Sequence, residues 1–150
     1  MEIMKKYIPL LGRICLCAIF IKSGIDKLFN PTYTQQLMES KGVPGILIIP
    51  TIIILLGGGL SVLLGYKARW GALALIGFLI PTTLIFHTDF SNQMQEIQFL
   101  KNLGLIGGLL MVATFGSGPV SFDNRSVWDR IQFPLSLKNG WRRILRRSRF

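Results

Sequence analysis

His87 is the chain's single histidine, and histidine is the residue type that exchanges a proton near neutral pH. It closes an apolar stretch, in Phe86-His87-Thr88-Asp89-Phe90. Another apolar stretch ends in Lys22-Ser23-Gly24-Ile25-Asp26-Lys27-Leu28-Phe29-Asn30-Pro31. On a helix Lys22 and Asp26 share one face, while Ser23, Lys27 and Asn30 share the next. Lys22 lies about two turns inside apolar sequence, so it must snorkel or find an anion, and Asp26 is the nearest candidate. Gln95, Gln98 and Asn102 fall at i, i+3 and i+7, with Lys101 on the same turn. Such a polar stripe is costly against lipid and is expected to face the interior of a helix bundle. Lys22, Asp26, Lys27, His87, Asp89, Gln98, Lys101 and Asn102 therefore form the candidate ligand-binding set, with His87 as the candidate proton donor or acceptor. They suit hydrogen bonding to a small polar or quinone-like head group. The blander alternative is an ion pair that anchors a helix end beside an interfacial histidine.

Other chemistries find no footing. One histidine and scattered carboxylates give no metal-ligand cluster. No nucleophile is paired with a base by motif, and Gly57-Gly58-Gly59 lacks the following lysine of a phosphate loop. Cys15 and Cys17, the only cysteines, are two apart on a helix and point about 200° from each other. They read as small apolar packing residues rather than as a disulfide or a redox pair. No cofactor motif is evident; a quinone is the one group the polar layer would take.

The elements that must position these residues are apolar and long. A bilayer core of about 30 Å takes about 20 helical residues, and stretches of suitable length lie at about 7–29, 44–65, 70–87 and 99–116. The second carries no charge. With 150 residues and a mean hydropathy of +0.47, the expected fold is all-α: a four-helix transmembrane bundle over 1–117, followed by a basic tail over 118–150. A soluble bundle of such helices would leave its outer faces, also apolar, in water. The first span is too charged at its far end for a cleaved signal peptide and is expected to be retained.

Small residues recur every four positions at Gly57, Ser61 and Gly65, and again at Gly104 and Gly108. This spacing lets helix backbones approach closely where lipid supplies no hydrophobic drive, within one chain or between chains. Pro50 and Pro81 each remove one helical hydrogen bond.

The ordered set Gly-Ile-Asp-Lys-Leu at 24–28, Gly58-Gly59 with Leu-Leu-Gly at 63–65, the basic turn to Arg69, His87, and Gly118-Pro119 leading to Ser121 and Asp123 resembles the DoxX family, its cyanobacterial members most. The likeness covers roughly residues 7–125. It implies a four-helix protein of a bacterial inner (plasma) or thylakoid membrane. Relatives include the DoxD-type subunit of thiosulfate:quinone oxidoreductase and members tied to oxidative-stress complexes, and distant eukaryotic relatives act as assembly chaperones or cargo receptors. Where many members carry a glutamate shortly before the Gly-Gly pair, this chain has Ile54-Leu55-Leu56.

Two functions stay open. One is an accessory or assembly subunit that packs against the helices of other membrane-protein subunits. The other is a redox-linked subunit that binds a quinone or small reductant in the polar layer. Partners beyond the lipid bilayer follow from charge. The formal net charge is +10, and Arg142, Arg143, Arg146 and Arg147 belong to a basic tail whose segment 139–150 is expected to be an amphipathic helix. Such a tail meets anionic lipid rather than nucleic acid.

Lys and Arg concentrate at the N-terminus, at Lys67 and Arg69, and in the tail, whereas 88–98 contains neither. The positive-inside rule then places both termini and Lys67 in the cytoplasm. In a chain without its native cysteines, a cysteine at Ser91 should be labelled only by an impermeant reagent added from the outside; labelling only from the cytoplasmic side contradicts this topology.

Overall fold

The computed structural model describes residues 2–88 and 90–123, which fold into helices with no strand. Asp89, Arg142, Arg143, Arg146 and Arg147, and the tail helix expected over 139–150, lie outside the described residues. Four helical segments are long and apolar enough to cross a membrane: Lys6–Phe29, Gly45–Leu64, Ala68–Phe86 and Gln93–Phe115. Phe29, Leu47, Ile53, Leu84, Leu103 and Met111 are among many large apolar side chains left exposed on the outside, as a bundle surrounded by lipid requires. Tyr7, Tyr66 and Trp70 stand exposed at the end that carries Lys67, where aromatic rings suit the membrane interface.

Helix α1 (Glu2–Phe29) runs to the end that carries His87. A short helix, α2 (Pro31–Ser40), follows at once. Pro31 sits at its first position, where a missing N–H costs nothing. At its far end Gly42 takes φ +74°, and the N–H groups of Gly42 and Val43 bond back to Glu39 and Met38, the pairing that closes a helix through a left-handed glycine. Met38 is the buried residue of α2.

The second span is irregular. A 3-10 turn at Gly45–Leu47 leads into α3 (Ile48–Ile53), then a π turn at Ile54–Gly58, then α4 (Gly59–Leu64). Pro50 lies within the first turn of α3, where the helix has few N–H groups to satisfy. Helix α5 (Ala68–Phe86) continues through Pro81, and α6 (Gln93–Phe115) returns to the Lys67 end. Beyond it, residues 116–123 fold back onto the bundle: Ser117 is buried, and Gly118, at φ +80°, lies against Pro9.

The core is Cys17, Phe20, Leu55, Val62, Ala72, Leu75, Ile76, Leu79 and Leu109. The glycines that let helices approach it are Gly24, Gly58, Gly59 and Gly71. A Cβ at Gly58 would lie 2.9 Å from Leu75, one at Gly59 3.2 Å from Ile21, one at Gly24 2.7 Å from Leu56, and one at Gly71 2.6 Å from the Ser61 hydroxyl.

The stripe expected from Gly57, Ser61 and Gly65 is therefore not a single packing face within the chain. Gly57 is exposed with nothing within 4 Å. A π turn holds an extra residue, so the four-residue spacing no longer tracks one face across Ile54–Gly58. Ser61 donates its hydroxyl to the Tyr66 carbonyl at 2.6 Å. Gly65 has left the helix: at φ +68° it caps α4, and a Cβ there would run into the Arg13 guanidinium and Ser121. On α6, a Cβ at Gly108 would lie 3.0 Å from Leu16, whereas one at Gly104 would have nothing within 4 Å among the described residues.

Gly65→Ala should therefore cost about 1 kcal/mol or more, because alanine is strained at this φ and its methyl group displaces Arg13. Gly57→Ala should cost almost nothing. Thermal unfolding in detergent micelles distinguishes the two, and equal losses contradict the assigned roles.

Candidate functional site

At the His87 end, α1, α2, α3 and α5 enclose a cavity of about 210 Å³. Lys27 enters it from α1; Tyr33, Thr34, Leu37 and Met38 from α2; Thr51 from α3; Phe78, Thr82 and Phe86 from α5, with His87 at the rim. Lys27 is partly buried and its ammonium donates to the Ser23 hydroxyl at 3.0 Å. The Thr51 and Thr82 hydroxyls donate to the carbonyls of Leu47 and Phe78, each at 2.8 Å. This back-bonding spends their protons on the helix and leaves oxygen lone pairs as acceptors.

His87 follows the last residue of α5, at the C-cap. Its Nδ1 lies 2.7 Å from Gln95 Oε1. An amide oxygen only accepts, so Nδ1 donates here and Nε2 is the acceptor of the neutral ring. The start of α6 explains why Gln95 is available. Asn92 caps that helix by accepting from the Met94 N–H at 3.0 Å, and the Gln95 side chain, three residues on, turns to His87. The cavity thus offers a cation, a ring nitrogen that accepts, hydroxyl oxygens and the three aromatic rings of Tyr33, Phe78 and Phe86. It can hold one small polar or aromatic head group, being below the roughly 300 Å³ at which sites for drug-sized ligands begin.

The expected polar layer separates into distinct groups. Lys22 and Asp26 form an ion pair at 3.3 Å with side chains 80% and 61% exposed, outside the residues that line the cavity. They anchor the surface of α1 and do not converge on His87. Lys101 is exposed and donates to Gln98 on its own helix. Asn102 alone of the α6 stripe is buried, and its amide donates to the Thr83 hydroxyl at 2.9 Å, which in turn donates to the Leu79 carbonyl at 2.6 Å. Of the candidate set, Lys27 and His87 share the cavity.

Sequence reasoning overlooked Tyr33, Thr34, Thr51 and Thr82. The two α2 residues could not be placed before α2 itself was recognised; Asn30-Pro31 was its available signal. Nor did sequence reasoning single out Arg13. Arg13 lies as deep in the apolar sequence as Lys22, and it is 3% exposed.

Residues 8–88 match the DoxX family. The chain is 39% identical to inner membrane protein YqjF of Escherichia coli over 76% of its length and 88% of that protein. It is 29% identical to inner membrane protein YphA of the same organism, over 77% of the chain and 88% of the relative. A Surfeit locus protein 4 homolog of Drosophila melanogaster is 29% identical over 79% of the chain, which spans 41% of that longer protein. No solved structure matches. The chain belongs to the DoxX family, as an integral membrane protein with inner-membrane homologues.

The bond between Asn102 and Thr83 ties α6 to α5 inside the bundle. A double-mutant cycle of Asn102→Leu and Thr83→Val, read by unfolding in bicelles, should give a coupling of about 0.6 kcal/mol, in the range of interhelical hydrogen bonds in membranes. Strict additivity contradicts the bond.

Proposed function

We propose that this DoxX-family protein is a non-enzymatic accessory or assembly subunit whose helix α6 packs against helices of partner membrane proteins. The observation that carries this reading is the incomplete use of α6. The helix is laid along α5 and meets α1 at Gly108, where Leu16 fills the space. Gly104 and Gly107 have nothing within 4 Å, and Leu100, Leu103, Leu110 and Met111 stand exposed on the same helix. A helix surface with small residues between large apolar ones suits close approach by another helix in lipid. Both termini and the Lys67 turn belong, in this reading, to the cytoplasmic side.

A second reading rests on the His87 cavity: a redox-linked subunit that holds the head group of a quinone or small reductant. Lys27 would donate to a head-group oxygen, and His87 would exchange a proton with it through Nε2. The cavity supplies position and a proton; the electrons would belong to the bound molecule and its partner.

One set of variants separates the readings. A photo-crosslinking residue at position 104 should form adducts with other membrane proteins in native membranes. Gly104→Leu should abolish co-purification of those proteins while the bundle stays stably inserted, because a Cβ there meets no other helix among the described residues. His87→Ala should leave these contacts intact. Absence of adducts, together with an unchanged set of co-purifying proteins in Gly104→Leu, contradicts the accessory role. At least about tenfold weaker binding of a quinone analogue in His87→Ala, alongside unaltered binding in Gly104→Leu, supports the second reading in its place.

A further inference from the structure

At the opposite end of the bundle lies a larger cavity, about 510 Å³, that neither reading of function uses. Its walls come from the first turns of α1, the end of α4 and the returning segment 119–122, and they include Lys6, Arg13, Leu10, Leu63, Leu64 and Phe122. Arg13 is the unusual member. It is 3% exposed, and its guanidinium donates through Nη1 to the Val62 carbonyl at 3.3 Å and through Nη2 to the Val120 carbonyl. Its Nε is buried with no hydrogen-bond partner among the described residues.

Both partners of Arg13 are backbone carbonyls, which satisfy protons without balancing charge. The carboxylate of Asp123, whose charge also acts on Arg13, is held at the start of α5, where it accepts from the N–H groups of Lys67 at 2.8 Å and Ala68 at 3.1 Å. A buried guanidinium with unspent donors is costly unless an anion is supplied. Each Nη carries a second N–H beyond the one it gives to a carbonyl, and a guanidinium suits the oxygens of a phosphate or carboxylate. Lys6 adds a second positive charge at the exposed rim.

The rest of the lining is mostly apolar, and Leu64 and Phe122 are exposed at its edge. An ion alone would leave that wall bare. We propose that this cavity binds an anionic phospholipid of the leaflet at the Lys67 end, with the lipid phosphate at the Arg13 guanidinium and Lys6, and the start of an acyl chain against Leu10, Leu63 and Leu64. This site is distinct from the general attraction of a basic tail to a charged membrane surface. It is a cavity for one lipid, and it closes over the contacts that hold segment 119–122 to α1 and α4.

The test uses the purified full-length chain in detergent, titrated with phosphatidylglycerol, with phosphatidylcholine of the same acyl chains, and with soluble glycerol phosphate. Retained lipid is counted by native mass spectrometry, and stability is followed by thermal unfolding. One phosphatidylglycerol per chain should be retained and should raise the unfolding temperature, with phosphatidylcholine at least about tenfold weaker. Arg13→Gln also breaks the bonds to Val62 and Val120, so the decisive variant is Leu64→Trp. It fills the cavity from an exposed wall position and leaves the Arg13 carbonyl partners in place. It should cut phosphatidylglycerol affinity by at least about tenfold, and Lys6→Gln by several-fold. Unchanged affinity in Leu64→Trp would assign the lipid to the tail and overturn the proposal. Equal retention of the two lipids, or displacement of phosphatidylglycerol by glycerol phosphate at the same concentration, would overturn it as well.

Discussion

Lipid tails are as apolar as leucine, so the bundle cannot rely on expelling its side chains from the surrounding solvent, and its packing depends on how closely the second span approaches its neighbours. Two adjacent glycines provide this. Successive helical residues point about 100° apart, so Gly58 and Gly59 face different helices: the first meets Leu75 and the Gly71 backbone of α5, the second meets Ile21 and Phe20 of α1. The π turn that ends at Gly58 sets the phase between them and the residues before it. The second span is consequently the centre of the bundle, with α1 on one side and α5 on the other. Helix α6 is held through α5 and is left with free surface.

Each end of this arrangement is fastened by polar groups that bond from one element to another. At one end Asp123, from beyond α6, supplies the N-terminal cap that the α5 start lacks, and its own N–H bonds to the Gly65 carbonyl at 2.7 Å. Capping a helix with a carboxylate satisfies its first N–H groups and places negative charge at the positive end of its dipole. Arg13 clasps the same segment from α1. At the other end His87 is held by Gln95, and Asn102 reaches Thr83. Several residues quoted for the family likeness thus have structural work before any ligand is considered: Gly24 admits Leu56, Gly65 and Gly118 take left-handed backbone angles, and Asp123 caps a helix.

The spans and their order were legible in the sequence because length and hydropathy report directly on what a bilayer accepts. The starts of α2 and α6 were marked locally by Asn30-Pro31 and by Asn92. The phase of the second span was not legible: no residue in Ile54-Leu55-Leu56-Gly57-Gly58 distinguishes a π turn from an α turn, so a spacing of four suggested the wrong glycine face. Lys22 drew attention because its depth in the span demanded an anion, and Asp26 met that demand locally, leaving Lys27 on the face that reaches the cavity. Arg13 posed the same demand at the other end. Its partners, the carbonyls of Val62 and Val120, are backbone atoms 49 and 107 residues away, and no residue type announces them.

The account stands on the two faces of the second span, and solid-state NMR of the unmodified chain in lipid bilayers reads them directly. Through-space contacts from Gly58 Cα to the Leu75 methyl groups and from Gly59 Cα to Ile21 are the expected result, with Gly57 in contact with lipid acyl chains. Contacts from Gly57 to α1 or α5 side chains, with lipid contacts at Gly58 instead, would contradict the packing from which the rest of the structure follows.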